Sequence, residues 1–322
     1  MSRAWHHRAV RPRVILLAIC GIAALVYAAG NALDDAAMGR QAGAVAFGAL
    51  AGYVALAGRG LPPRVRWPLL GSLLVLALGF AVGALLLQAA GPPRSYGFFT
   101  YHPLPRPHRA SLVRAFGRGL STMAVPLLAY PALAVAVSGL PHQRRRGLLL
   151  AGPVAAAALL GWFAVQVASA DRDGGFHAAP TVPEALAMVG APLLVALVAI
   201  GAGAVATQRV QGRLITVGFA LTALSTLYAL ELSRYSPLVF DEVAAAVGVA
   251  PAETVIETAM RWLSGVSLVG DYGAGEVLPP VLAVAQVLGA ALVAVGCVRA
   301  RPVPVAGSAA AEADDPGGDL AP

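Results

Sequence analysis

The chain has 322 residues, 58% of them apolar and only 12% charged, about half the charged fraction of an ordinary soluble domain. That pairing excludes a water-soluble globular domain. The net charge is +7, all 23 cationic residues are arginine, and there are 16 acidic residues and 2 cysteines; because the arginines follow the connections between apolar runs, the excess charge gives no ground for nucleic-acid binding.

Uncharged apolar runs fall at residues 14–30, 41–58, 67–90, 119–139, 147–169, 185–206, 214–232 and 281–298, each about long enough to cross a ~30 Å hydrocarbon core. They are continuous rather than alternating, and a lipid-facing backbone has no water to satisfy it, so each is predicted to be helical. The expected fold class is all-α, a polytopic transmembrane bundle of about eight spans over residues 1–298, including outer loops 91–118 and 233–280. The first run could pass for a secretory signal. However, Ile19 precedes Cys20 where a lipoprotein site needs a small residue, and the run continues through Tyr27, so it reads as a retained span.

One set of connections carries Arg3, Arg8, Arg11 and Arg13, then Arg59, Arg64 and Arg66, then Arg144, Arg145 and Arg146, then Arg209 and Arg213, then Arg299 and Arg301, with no acidic residue before the distal tail. Cationic connections stay cytoplasmic, so both termini are predicted there. Residues 299–322, rich in Ala, Gly, Pro and Asp, bury too little apolar area to offset ordering entropy and read as a disordered acidic cytoplasmic tail. Cys20 and Cys297 are small packing residues in the first and last spans. No Cys/His zinc spacing occurs, and neither a metal nor a cofactor is expected.

Helices in lipid gain nothing from mutual hydrophobic burial, so small residues at four-residue spacing mark close approaches. Ala44, Gly48 and Gly52 form one such row, Gly79 and Gly83 another. The spans also divide into two sets of four. A Tyr-x-Pro-Leu string follows the third span of each, at Tyr101 to Leu104 and at Tyr235 to Leu238, and acids follow the first at Asp34 and Asp35 and at Asp171 and Asp173. These matches suggest a 4+4 parallel repeat. The string Gly97-Phe98-Phe99-Thr100-Tyr101-His102-Pro103-Leu104 resembles a short G-x-x-x-Y-x-P-L outer loop of polytopic membrane proteins of high-GC bacteria, with His102 where a small residue is more usual. The resemblance covers eight residues and implies a multi-pass protein of the bacterial cytoplasmic membrane, with no activity attached.

Ionisable side chains within spans are costly and point to function. Only Glu231 approaches one, with Arg234 a helical turn on. The seventh run is the most polar, and Thr222, Ser225 and Thr226 share a face expected to point inward. Gln88, Gln166 and Gln286 are the polar partners to seek across a shared cavity, and Pro126 and Pro131 interrupt the fourth run, where a broken helix frees carbonyls. Residues 91–118 hold Arg94, Arg106, Arg109, Arg114, Arg118, His102, His108, Tyr96 and Tyr101 without one acidic residue. Arginine forks match phosphate oxygens and aromatics suit the headgroup level, so an anionic lipid or phosphate-bearing amphiphile is the expected ligand. In the last outer loop, residues 251–263 follow the three-and-four rule and predict a surface-lying helix.

Three functions remain. The first is a non-enzymatic permease-like or accessory component whose partners are membrane lipids and other membrane subunits, with its ligand contacts at Arg106, Arg109, Arg114, Arg118, Tyr101, His102, Glu231, Thr222 and Thr226. The second is an extracytoplasmic enzyme. Asp34 and Asp35, just after the first span, are placed like the acidic pair of polyprenyl-phosphate-dependent glycosyltransferases, a resemblance that implies a lipid-phosphate substrate. The third is a secondary transporter using Glu231. No residue is assigned a catalytic role.

Overall fold

The computed structural model describes residues 3–90, 109–143, 150–169, 181–230, 266–268 and 277–300, and among them regular structure is helical throughout. In chain order the helices are α1 (Arg3–Ala32), α2 (Ala36–Ala57), α3 (Pro63–Ala90), α4 (Arg109–Thr122), α5 (Ala124–Ser138), α6 (Ala151–Ser169), α7 (Val182–Ala206), α8 (Gly212–Ser225) and α9 (Leu278–Arg299), with one 3-10 turn, Tyr228–Leu230, after α8. Among the described residues, five segments are long and apolar enough to cross a membrane: Pro12–Ala32, Pro63–Ala89, Ala151–Ser169, Val189–Ala206 and Leu278–Arg299. Helices Ala124–Ser138 and Gly212–Ser225 are apolar but shorter. The protein is therefore a helical, multi-span membrane protein.

Consecutive helices pack side by side and the last returns to the first. α1 lies on α2, α2 on α3, α3 on α5, α5 on α7, α7 on α8, α8 on α9, and α9 on α1. α4 and α6 sit outside this ring, both against α7. The interior is filled by Tyr27, Phe47, Phe80, Tyr130 and Phe219, all buried, with Phe80 stacked on Phe47 and edge-on to Tyr27 at 5.4 Å each. Ile22, Leu25, Leu78, Leu85, Leu128, Val135, Val154, Val165, Val217 and Val281 project outward around the ring. Such an apolar surface would aggregate in water and matches lipid.

The α7–α8 connection meets the chain after α5. Gln143 N–H donates to the Gln208 carbonyl at 2.8 Å, Val210 N–H to Pro141 O at 3.2 Å, and Arg209 Nη1 to Leu140 O at 3.0 Å. With antiparallel neighbours, the connections bearing Arg59, Arg64 and Arg66, Arg209 and Arg213, and Arg299 all lie at one end, the arginine-rich end. There Arg66 sits over the exposed Trp67 ring at 5.6 Å, the cation–π pairing of an interfacial anchor.

Two expected spans differ in detail. The fourth breaks at Met123 into α4 and α5, and the seventh leaves α-geometry at Ser225, where Thr226 and the 3-10 turn follow. At Met123 the four-residue bonds carry through, Met123 N–H to Gly119 O at 3.1 Å and Leu127 N–H to Met123 O at 2.9 Å, with Thr122 Oγ1 also donating to Gly119 O at 2.8 Å. After Ser225, by contrast, three-residue bonds take over, Thr226 N–H to Ala223 O and Leu227 N–H to Leu224 O at 3.1 Å each.

Candidate functional site

At the end opposite the arginines, α1 turns into α2 through Asp34 and Asp35. Asp34 takes a left-handed conformation (φ 56°) and Asp35 caps α2, its Oδ1 accepting from Met38 N–H at 2.9 Å. Asp tolerates both roles because its short side chain can bond nearby backbone, so turn chemistry accounts for the acidic pair without a substrate. At the same end Thr181 N–H donates to Glu184 Oε2 at 2.6 Å, the return half of a capping box at the start of α7.

Between this end and the bundle centre lies a buried polar cluster drawn from four places in the chain. Gln286 of α9 is fully buried, with Nε2 donating to Val266 O at 3.1 Å and to Tyr130 Oη at 3.5 Å. Its Oε1 accepts from Tyr27 Oη at 3.2 Å. Tyr27 Oη also lies 2.5 Å from Ser267 Oγ. Either hydroxyl of the Tyr27–Ser267 pair can donate. The bonds thus tie the segment 266–268 to α1, α5 and α9. Val266, Ser267 and Leu268 are all buried. From Leu278 to Gln286 α9 rises roughly 12 Å, so the cluster lies more than two turns inside that apolar helix.

The sequence-predicted residues distribute as follows. Thr222 and Ser225 on α8 and Thr226 at its C-cap are all buried, so this polar face points inward. Their hydroxyls return to their own helix, Thr222 to Gly218 O at 3.1 Å and Ser225 to Thr222 O at 2.7 Å, while Thr216 reaches Gly203 O of α7 at 3.1 Å. Of the three glutamines only Gln286 is buried in the cluster; Gln88 is exposed and Gln166 half-buried. Arg109, Arg114 and Arg118 belong to α4. Tyr101, His102, Arg106, Glu231, the surface helix expected at residues 251–263 and the tail from 301 onward lie outside the described residues. Tyr27, Tyr130 and Ser267 were missed, because isolated tyrosines in apolar runs read as core packing. Among the described residues no group of three or more His, Cys, Asp or Glu is placed to hold a metal ion.

α4 runs into α5 across Met123 and packs on α7. Leu112, Val113, Phe116 and Leu120 fall on one side of it at three-and-four spacing, and Arg114 and Arg118, one turn apart, fall on the other by helical periodicity. It docks on α7 where Gly190 and Gly119 leave room: a methyl at Gly190 would lie 2.8 Å from the Phe116 ring, and one at Gly119 3.6 Å from Ala191 Cβ. Val113 stays largely exposed. A helix that carries apolar residues at this spacing together with arginines suits a headgroup boundary.

Comparison with known protein families, with curated proteins and with solved structures gives no match.

Proposed function

We propose that this chain is a non-enzymatic, permease-like or accessory component of the bacterial cytoplasmic membrane, crossing it about eight times with both termini cytoplasmic. Its extracytoplasmic face contacts anionic lipid headgroups or phosphate-bearing amphiphiles, and other membrane subunits are further partners. The observation that supports the reading is α4, a short helix joined to α5 at Met123 and docked beside α7, whose sequence carries Arg109, Arg114 and Arg118 among apolar residues at three-and-four spacing. Arginine forks on an interfacial helix pair with phosphate oxygens. The use of Asp35 as a helix cap supports this reading over the glycosyltransferase one.

Native mass spectrometry of protein extracted in mild detergent tests it. Replacing Arg106, Arg109, Arg114 and Arg118 together by glutamine is expected to strip most phosphatidylglycerol and cardiolipin adducts. An unchanged adduct pattern in the folded variant would remove the proposal.

A further inference from the structure

At the arginine-rich end Arg59, Arg64, Arg213 and Arg299 are exposed, and the acids among the described residues, Asp34, Asp35 and Glu184, all lie at the other end. Cationic side chains gathered on one surface without acids between them draw anions. That surface holds an open hollow of about 240 Å³ lined by Gln143, Val210, Gln211, Gly212 and Arg213. Its walls are fixed to each other, since Gln143 N–H donates to Gln208 O and Val210 N–H to Pro141 O, and Gln211 turns the chain into α8 through a left-handed conformation (φ 59°). The side chains of Gln143, Gln211 and Arg213 are exposed. Two amides and a guanidinium are a donor set that fits a carboxylate or a phosphate.

The end of α9 lies beside this hollow. Gly296 packs so closely on α8 that a methyl there would lie 2.5 Å from Ile215 Cγ1. Ile215 is two residues past Arg213 and Gly296 three before Arg299, so the chain leaves α9 within roughly one helix diameter, about 10–12 Å, of the hollow. After Arg301 the sequence has no cation and carries Glu312, Asp314, Asp315 and Asp319. The 14 residues from Ala300 to Asp314 can span up to roughly 50 Å, several times the distance required.

We propose that the chain's own acidic segment, residues 312–319, docks on this end of the bundle, with the Asp314 and Asp315 carboxylates in the hollow against Arg213, Gln211 and Gln143. Tethering raises the local concentration of the segment to about the millimolar range, so a seat of modest affinity is filled from within the chain. Both partners belong to one end of the bundle, and the contact does not depend on which side of the membrane that end faces. Docked in this way, the segment shields the arginine surface and competes there with anionic lipid heads and acidic partners.

Distance measurement between spin labels at His142→Cys and Ala313→Cys, in the full chain in phosphatidylcholine nanodiscs, tests the contact. His142 is exposed and its bridge to Arg209 is made by backbone, while Cys20 and Cys297 are buried and stay in place. A narrow short-distance population is expected at low salt. Most of it is expected to be lost at about 1 M salt, where the screening length falls to about 3 Å. Arg213→Gln is expected to lose most of it as well, and Arg213→Lys to keep it. Asp314→Asn with Asp315→Asn is expected to match Arg213→Gln while leaving the bundle untouched, so misfolding cannot imitate that result. Arg59→Gln with Arg64→Gln, on the same end but outside the hollow, is expected to lose little. A broad distribution in the starting protein, no change in the Asp314 and Asp315 variant, or equal loss from the Arg59 and Arg64 pair would overturn the docking. Phosphatidylglycerol in the discs is expected to leave the population in place, and its disappearance would make a lipid head the occupant and overturn the proposal. Loss on dilution with unlabelled protein would place the contact between copies and overturn it too.

Discussion

At the level of single residues the bundle is held by close backbone approaches and a few directed polar bonds. Gly218 of α8 and Gly289 of α9 meet so closely that a methyl on either would lie 2.6 Å from the other's carbonyl oxygen. Gly289→Ala is expected to destabilise the protein by about 1–3 kcal/mol, read as a lower unfolding midpoint in detergent. Gly48→Ala, where nothing lies within 4 Å of the added carbon, is expected to stay within about 0.5 kcal/mol. The contrast separates contact from spacing, since Ala44, Gly48 and Gly52 have the spacing and Gly52 meets only Leu16, at 3.6 Å. Gln286→Leu leaves a buried phenol and a peptide carbonyl without their amide and is expected to cost about 1–3 kcal/mol. Thr222→Val, which removes a hydroxyl serving its own helix, is expected to cost under about 1 kcal/mol in the same assay. Gln286 stood out in the sequence as an amide in an apolar run. Its partners did not, because Tyr27 and Ser267 are 240 positions apart and nothing local couples them.

Among elements, what the sequence showed best was the apolar run, and what it hid was where a run stops being one helix. Residues 119–139 are uniformly apolar, yet α5 begins only at Ala124 and the preceding helix is amphipathic. The arginines of the outer loop and the small residues of the span blend there, so hydropathy alone placed the boundary inside α4. The turn after α1 shows the reverse: Asp34 and Asp35 were conspicuous as acids, and their local role follows from turn chemistry that residue type alone already favours. Asp35→Ala removes the acceptor for Met38 N–H and is expected to cost about 1 kcal/mol, while Asp35→Asn keeps an acceptor oxygen and most of the stability. Thermal unfolding of the two variants checks this. If Asp35→Asn is as unstable as Asp35→Ala, the cap is not what the carboxylate provides.

Over the whole molecule, the ring order of helices was not legible, because in lipid any row of Ala and Gly can serve as a contact and such rows occur on most of these spans. The distribution of charge was legible and is now tied to geometry. The bridge between His142 and Arg209 fixes the ends of α5 and α7 together, and antiparallel packing brings Arg59, Arg64, Arg66, Arg213 and Arg299 to the same end. The chain has no acidic residue between Asp35 and Asp171, nor between Glu184 and Glu231, so the cationic bias of these connections is not offset by neighbouring acids. If these arginines are retained on the cytoplasmic side, as proposed, the retention acts on several short connections at once and in one direction. Reporter fusions after Arg66, Arg146 and Arg213 are expected to read cytoplasmic, and one after Gly265 external. Replacing Arg64 and Arg66 alone should leave that pattern unchanged, since the remaining connections still agree. Inversion of the whole series would overturn the orientation and move the α4 surface to the inner leaflet, and a mixed series would overturn the count of about eight crossings.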